Sequence, residues 1–114
     1  MAAYLPYLGL TVAVELALAA LLCRRSHRGR DRMRLAAAVV LLNCFTHPLA
    51  FLFASESLGF GPREFWILEA AVFGAEALGY RWITAMSWGR AVGLSLSCNG
   101  ATVLVSYLLA FTSP

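Results

Sequence analysis

Lysine is absent from this chain of 114 residues, and charge of either sign is scarce, at 13%. A soluble domain devotes about a quarter of its residues to charge. A short soluble chain also needs polar residues to cover its one core. With 61% hydrophobic residues there are too few to do so, which excludes an ordinary soluble domain. A bilayer removes the requirement, because an apolar exterior is then the correct one. The three cysteines, Cys23, Cys44 and Cys98, are odd in number and share no short spacing, so there is no disulfide framework. No basic stretch precedes the first apolar run. The expectation is a retained first span and not a secretory signal. Zinc signatures of the H-E-x-x-H or paired C-x-x-C kind are missing, as is the G-x-S-x-G of a nucleophile elbow.

What is present is four apolar segments of spanning length. They cover about 5–22, 35–54, 65–85 and 91–111, and a loop over 23–34 separates the first two. Each is close to the roughly 20 residues that cross a bilayer as a helix. Backbone groups in lipid must be satisfied within the segment, so helices are expected and not open strands. The fold class predicted is all-α: an integral membrane four-helix bundle forming a single transmembrane domain. Gly59, Gly61 and Pro62 mark the turn between the second and third segments.

All nine basic residues are arginine, and six of them lie between Cys23 and Arg34. A basic run can mark nucleic-acid binding. Flanked by two apolar segments, this one reads as a cytoplasmic loop obeying the positive-inside bias, with no nucleic-acid partner. Arg81 and Arg90 bracket the last connection and belong on the same side. Both termini are then outside, periplasmic or extracellular, and Trp66 at one end and Trp82 and Trp88 at the other occupy interfacial positions. Arginine in place of lysine, with abundant Ala and Leu, is the composition of a GC-rich bacterial genome. The expected location is the bacterial cytoplasmic (inner) membrane.

Six polar residues fall inside the apolar segments: Glu15, Asn43, His47, Glu69, Glu76 and Asn99. An ionisable group in hydrocarbon is costly and marks a functional site by default. Helical spacing places Asn43 and His47 on one face, with Thr46 beside them. Glu69 and Glu76 lie two turns apart on another face, which Tyr80 extends. Ser95, Asn99, Thr102 and Ser106 form a continuous stripe, and Thr11 precedes Glu15 by four. At about 1.5 Å per residue, Glu15, Asn43, Glu76 and Asn99 share one depth, and His47, Glu69 and Thr102 share another nearer the outside. The asparagines and serines serve equally well as interhelical hydrogen bonds, worth about 0.6 kcal/mol each. Glu76 is different. It is too deep to reach headgroups and has no basic residue within one turn, so it is neutral, paired across helices, or bound to a cation. His47, Glu69 and Glu76 have the composition of a metal site with one imidazole and two carboxylates.

Small residues recur every four positions, at Gly89, Gly93 and Ser97 and at Ala71, Ala75 and Gly79. Such stripes let helices pack closely in lipid, either within the chain, in a homo-oligomer or against a larger membrane complex.

Three functions fit. The first is a proton or cation pathway or cation-binding site built on Glu76 with Glu69, His47 and Asn99. The second is a non-catalytic accessory subunit whose polar residues only lock helices. The third is an intramembrane metal-dependent hydrolase. A Glu/His/Asn set in a bundle resembles the abortive-infection and prenyl-protein protease families. Those carry a double-Glu motif and further histidine motifs, whereas here the glutamates are separated and one histidine is in a span, so their activity is not carried over. The string Asn43-Cys44-Phe45-Thr46-His47-Pro48, followed by Glu69, Glu76, Ser95 and Asn99, resembles small uncharacterised bacterial four-helix integral membrane proteins over segments two to four. That resemblance implies an architecture and no activity.

Overall fold

Four helices account for most of the chain in the computed structural model, which describes residues 4–24, 29–56 and 59–112. They are α1 (Tyr4–Leu22), α2 (Gly29–Glu56), α3 (Pro62–Thr84) and α4 (Trp88–Thr112), with no strand among the described residues. Part of the arginine-rich loop, with Arg25 and Arg28, lies outside the described residues.

The helix ends follow from local chemistry. α2 begins at Gly29, six residues ahead of the expected start at Leu35. Arginine, methionine and leucine are good helix formers and Asp31 in the first turn complements the helix dipole, so the helix continues beyond the apolar stretch. It also runs unbroken through Pro48. α3 opens with Pro62 in its first turn, where the missing N–H costs nothing. There the Gly61 N–H donates to the Glu64 carboxylate at 3.1 Å. The α3–α4 turn is short. It takes Ala85 into the left-handed region at φ 55°, and Arg81 sits 5.9 Å from the Trp88 ring across it.

Each helix packs on its neighbours in sequence, and α1 closes the ring on α4. The bundle is 44 Å long, near the full thickness of a bilayer with its headgroups. α1, α2 and α4 are each long and apolar enough to cross a membrane. α3 has 23 residues but carries Glu69, Glu76 and Arg81. The polarity is inverted relative to a soluble protein. Leu41, Phe45, Ile67, Leu96 and Leu104 are exposed, whereas Glu15, Asn43 and Glu76 are fully buried.

The interior is divided. The apolar cluster of Ala19, Leu35, Ala38, Val39, Tyr80, Met86, Ala91, Leu94 and Cys98 lies wholly between the Glu15–Glu76 level and the arginine-rich end. Toward the other end the core opens into a cleft. The polar residues sit where the dry half meets the open half.

Candidate functional site

Two glutamates reach the centre from diagonally opposed helices. Glu15 on α1 accepts a hydrogen bond from Asn43 Nδ2 at 2.6 Å and, more loosely, one from the Thr102 hydroxyl at 3.5 Å. Glu76 on α3 accepts from Asn99 Nδ2 at 2.5 Å and lies 3.0 Å from the Thr46 hydroxyl. Each asparagine is oriented by its own helix, because Asn43 Nδ2 also donates to the Val39 carbonyl and Asn99 Nδ2 to the Ser95 carbonyl, both at 2.9 Å. Those carbonyls fix which side of each amide is NH2. Ser95 in turn donates to the Phe73 carbonyl at 2.9 Å, which ties α4 to α3.

The arrangement is a repeat. Each of these two glutamates takes an asparagine from one adjacent helix and a threonine from the other. The donors come as N-x-x-T twice, Asn43 with Thr46 and Asn99 with Thr102. The α1–α2 hairpin and the α3–α4 hairpin therefore present the same device, as parallel repeats related by an axis along the bundle do. His47 breaks the symmetry, since Val103 occupies the matching position on α4. This repeat is the signal that reading segment by segment misses. It becomes visible only when the two return helices are aligned on their asparagines.

One ligand atom from each of Glu15, His47 and Glu76 lies within 4.8 Å of the others. Two carboxylates that close cannot both be ionised at little cost. At 4.8 Å and an effective dielectric of about 20 the repulsion is about 3.5 kcal/mol. No arginine among the described residues is within ion-pair distance of either. A shared proton or a bound cation resolves this. The hydroxyl of Thr46 points the same way. It lies 2.8 Å from the Leu42 carbonyl as well as 3.0 Å from Glu76 Oε1, and it has one proton. When that proton goes to Leu42, the contact with Glu76 needs a proton on Glu76. Three buried polar atoms of this neighbourhood, Asn43 Oδ1, His47 Nε2 and the Tyr80 hydroxyl, have no hydrogen-bond partner.

The expected site residues divide as follows. Glu15, Asn43, Glu76 and Asn99 form one buried layer, and His47 joins it from the half-open side. Glu69 stands apart on the wall of the cleft. Among the described residues, the candidate ligand atoms that converge are those of Glu15, His47 and Glu76, whereas His47, Glu69 and Glu76 do not form such a group. The physical reason is that Glu69 lies two helical turns outward from Glu76, whereas α1 supplies a carboxylate at the right level.

Of the packing stripes, only Gly79 packs inward; a Cβ there would meet Leu42, and Ala71 and Ala75 are exposed. Gly89, Gly93 and Ser97 face outward, and a Cβ at either glycine meets nothing within 4 Å. Gly93→Leu is accordingly expected to fold as the wild type does while weakening self-association or complex formation through this face. Native mass spectrometry that shows an unchanged oligomer distribution would remove the stripe from any interface.

No family model, curated protein or solved structure matches this chain.

Proposed function

We propose that this chain is a four-span membrane protein that binds a proton or a cation at Glu15, His47 and Glu76, reached from the outer side. The observation that carries the reading is the pair of fully buried carboxylates and an imidazole within 4.8 Å of one another, with no arginine among the described residues paired to them. A structural polar layer can be built from asparagine and threonine alone, at far lower desolvation cost than one containing an ionised carboxylate. The residues supply one imidazole and two carboxylates as ligands, with asparagine and threonine donors holding the carboxylates in place. The apolar cluster beneath favours a one-sided binding site over a continuous pore.

α3 belongs among the spans because Glu76 contacts Thr46 on α2 and Asn99 on α4, and both of those helices are long and apolar enough to cross. The proposed orientation puts both termini outside and the arginine-rich end in the cytoplasm of a bacterial inner membrane. In a variant lacking the native cysteines, a cysteine placed at Ser26 should react with impermeant thiol reagents only after the cells are opened. Labelling in intact cells reverses the orientation and moves the mouth of the cleft to the cytoplasmic side.

The accessory-subunit reading keeps one specific support, the outward face of Gly89, Gly93 and Ser97. The two readings are compatible if a partner completes or regulates the site. Co-purification of a stoichiometric partner lost in Gly93→Leu favours it.

A further inference from the structure

The outer half of the bundle holds a cleft of about 670 Å³. That is far more space than a proton or metal ion occupies, and it falls in the range of small organic ligands. The walls are aromatic, with Tyr7 on α1, Phe65 and Trp66 on α3 and Tyr107 on α4. Its lining contains Glu69 and no arginine, and its floor at His47, Asn99 and Thr102 adjoins the buried glutamate pair. Aromatic faces with an unneutralised carboxylate attract an organic cation: the ring quadrupoles and the carboxylate act on the same charge.

A second groove of about 340 Å³ shares Trp66, Glu69, Asn99 and Val103 with the cleft, and continues past Leu96 and Gly100. Both of those residues are exposed, so the cleft has a side opening between α3 and α4 onto the apolar exterior. A ligand entering there comes from the hydrocarbon and carries an apolar body.

We propose that the cleft is a binding site for a lipophilic organic cation, held by Glu69 and the aromatic walls and admitted laterally between α3 and α4. This rests on the reading of the bundle as membrane-spanning, and not on the protonation of Glu15 or Glu76.

The test uses the full chain in nanodiscs of zwitterionic lipid, with tetraphenylphosphonium and its anionic counterpart of the same shape, tetraphenylborate. Equilibrium binding is read after subtraction of empty nanodiscs. Tetraphenylphosphonium should bind saturably and tetraphenylborate should not. Glu69→Gln should weaken tetraphenylphosphonium about tenfold, the size expected for loss of a partly desolvated charge pair. Trp66→Ala should weaken it as well, which keeps the test decisive if either variant folds poorly. Equal partitioning of the two ions, or unchanged affinity in Glu69→Gln, overturns the proposal. The buried glutamates are read separately, by the infrared signal of their carboxyl groups. Absence of saturable binding with that signal intact removes the organic cation alone. Binding with that signal missing removes the Glu15–Glu76 site alone.

Discussion

Glu76→Gln is expected to fold like the wild type and to lose the proton or cation shared with Glu15, whereas Glu76→Ala is expected to destabilise the bundle by about 2–4 kcal/mol. Glutamine reproduces a protonated glutamic acid at this position. Its Oε1 accepts from Asn99, and its NH2 donates to the Thr46 hydroxyl, which then donates to the Leu42 carbonyl. Every contact made by Glu76 survives, and only the capacity to ionise is lost. Alanine leaves one Asn99 N–H without its acceptor and opens a cavity among fully buried side chains. The repeat extends the prediction to Glu15, where glutamine accepts from Asn43 and donates to Thr102. If the pair shares one cation, either glutamine variant alone abolishes its binding, and the double variant is no worse than the singles; if it shares one proton, the remaining carboxyl still titrates at a shifted pH and only the double variant abolishes the titration. Thermal unfolding in detergent measures the stability part, and equilibrium binding in nanodiscs measures the rest. Full binding in Glu76→Gln would shift weight to the accessory-subunit reading, in which the polar layer is interhelical glue.

The second large effect lies at Gly79. A Cβ built there falls 2.3 Å from Leu42 Cδ2 and 2.8 Å from Cδ1, closer than any real contact. The neighbour is the flexible end of a leucine, so the backbone need not separate, but Leu42 has to leave its rotamer. Overpacking of this kind costs about 1–3 kcal/mol. Gly79→Ala is therefore expected to lower the unfolding temperature, and Gly79→Leu to lower it further or prevent assembly of α2 against α3. In a Leu42→Ala background the penalty of Gly79→Ala should largely vanish, a coupling that a double-mutant cycle reads directly. Additive losses would show that Gly79 is not the point of close approach between these helices. By contrast, substitutions at Gly89 and Gly93 meet open space and leave the protomer's stability alone.

Much of the layout is legible in the sequence because two periodicities carry it. Apolar runs of spanning length give the helix count, and spacings of three and four give the faces. Counting rise per residue from the arginine-rich side puts Glu15, Asn43, Glu76 and Asn99 at one depth, and in the structure Glu15 bonds Asn43 and Glu76 bonds Asn99. Other features needed three dimensions. Facing directions across a bundle are not set by spacing within one helix, so the sequence favours Glu69 as the partner of His47 and Glu76, while the ring of helices brings Glu15 there. The same limit applies to the small-residue stripes. Gly79 packs on Leu42 and Gly93 faces outward, yet nothing along either helix distinguishes them. The start of α2 at Gly29 is a further case. Hydropathy ends near Leu35, but helix propensity does not, and the arginine-containing stretch from Gly29 continues the helix ahead of the apolar run.

The central proposal is that Glu15 and Glu76 share one exchangeable proton or cation within the buried polar layer of the bundle. Infrared difference spectroscopy of the bilayer-reconstituted chain tests it most directly, by following the protonated-carboxyl stretch as bath pH is changed. A band that titrates in the wild type, shifts in Glu15→Gln and in Glu76→Gln and is absent from the double variant is the result predicted here. The wild-type band unchanged in the double variant, or no titrating buried carboxyl in the wild type, would contradict it.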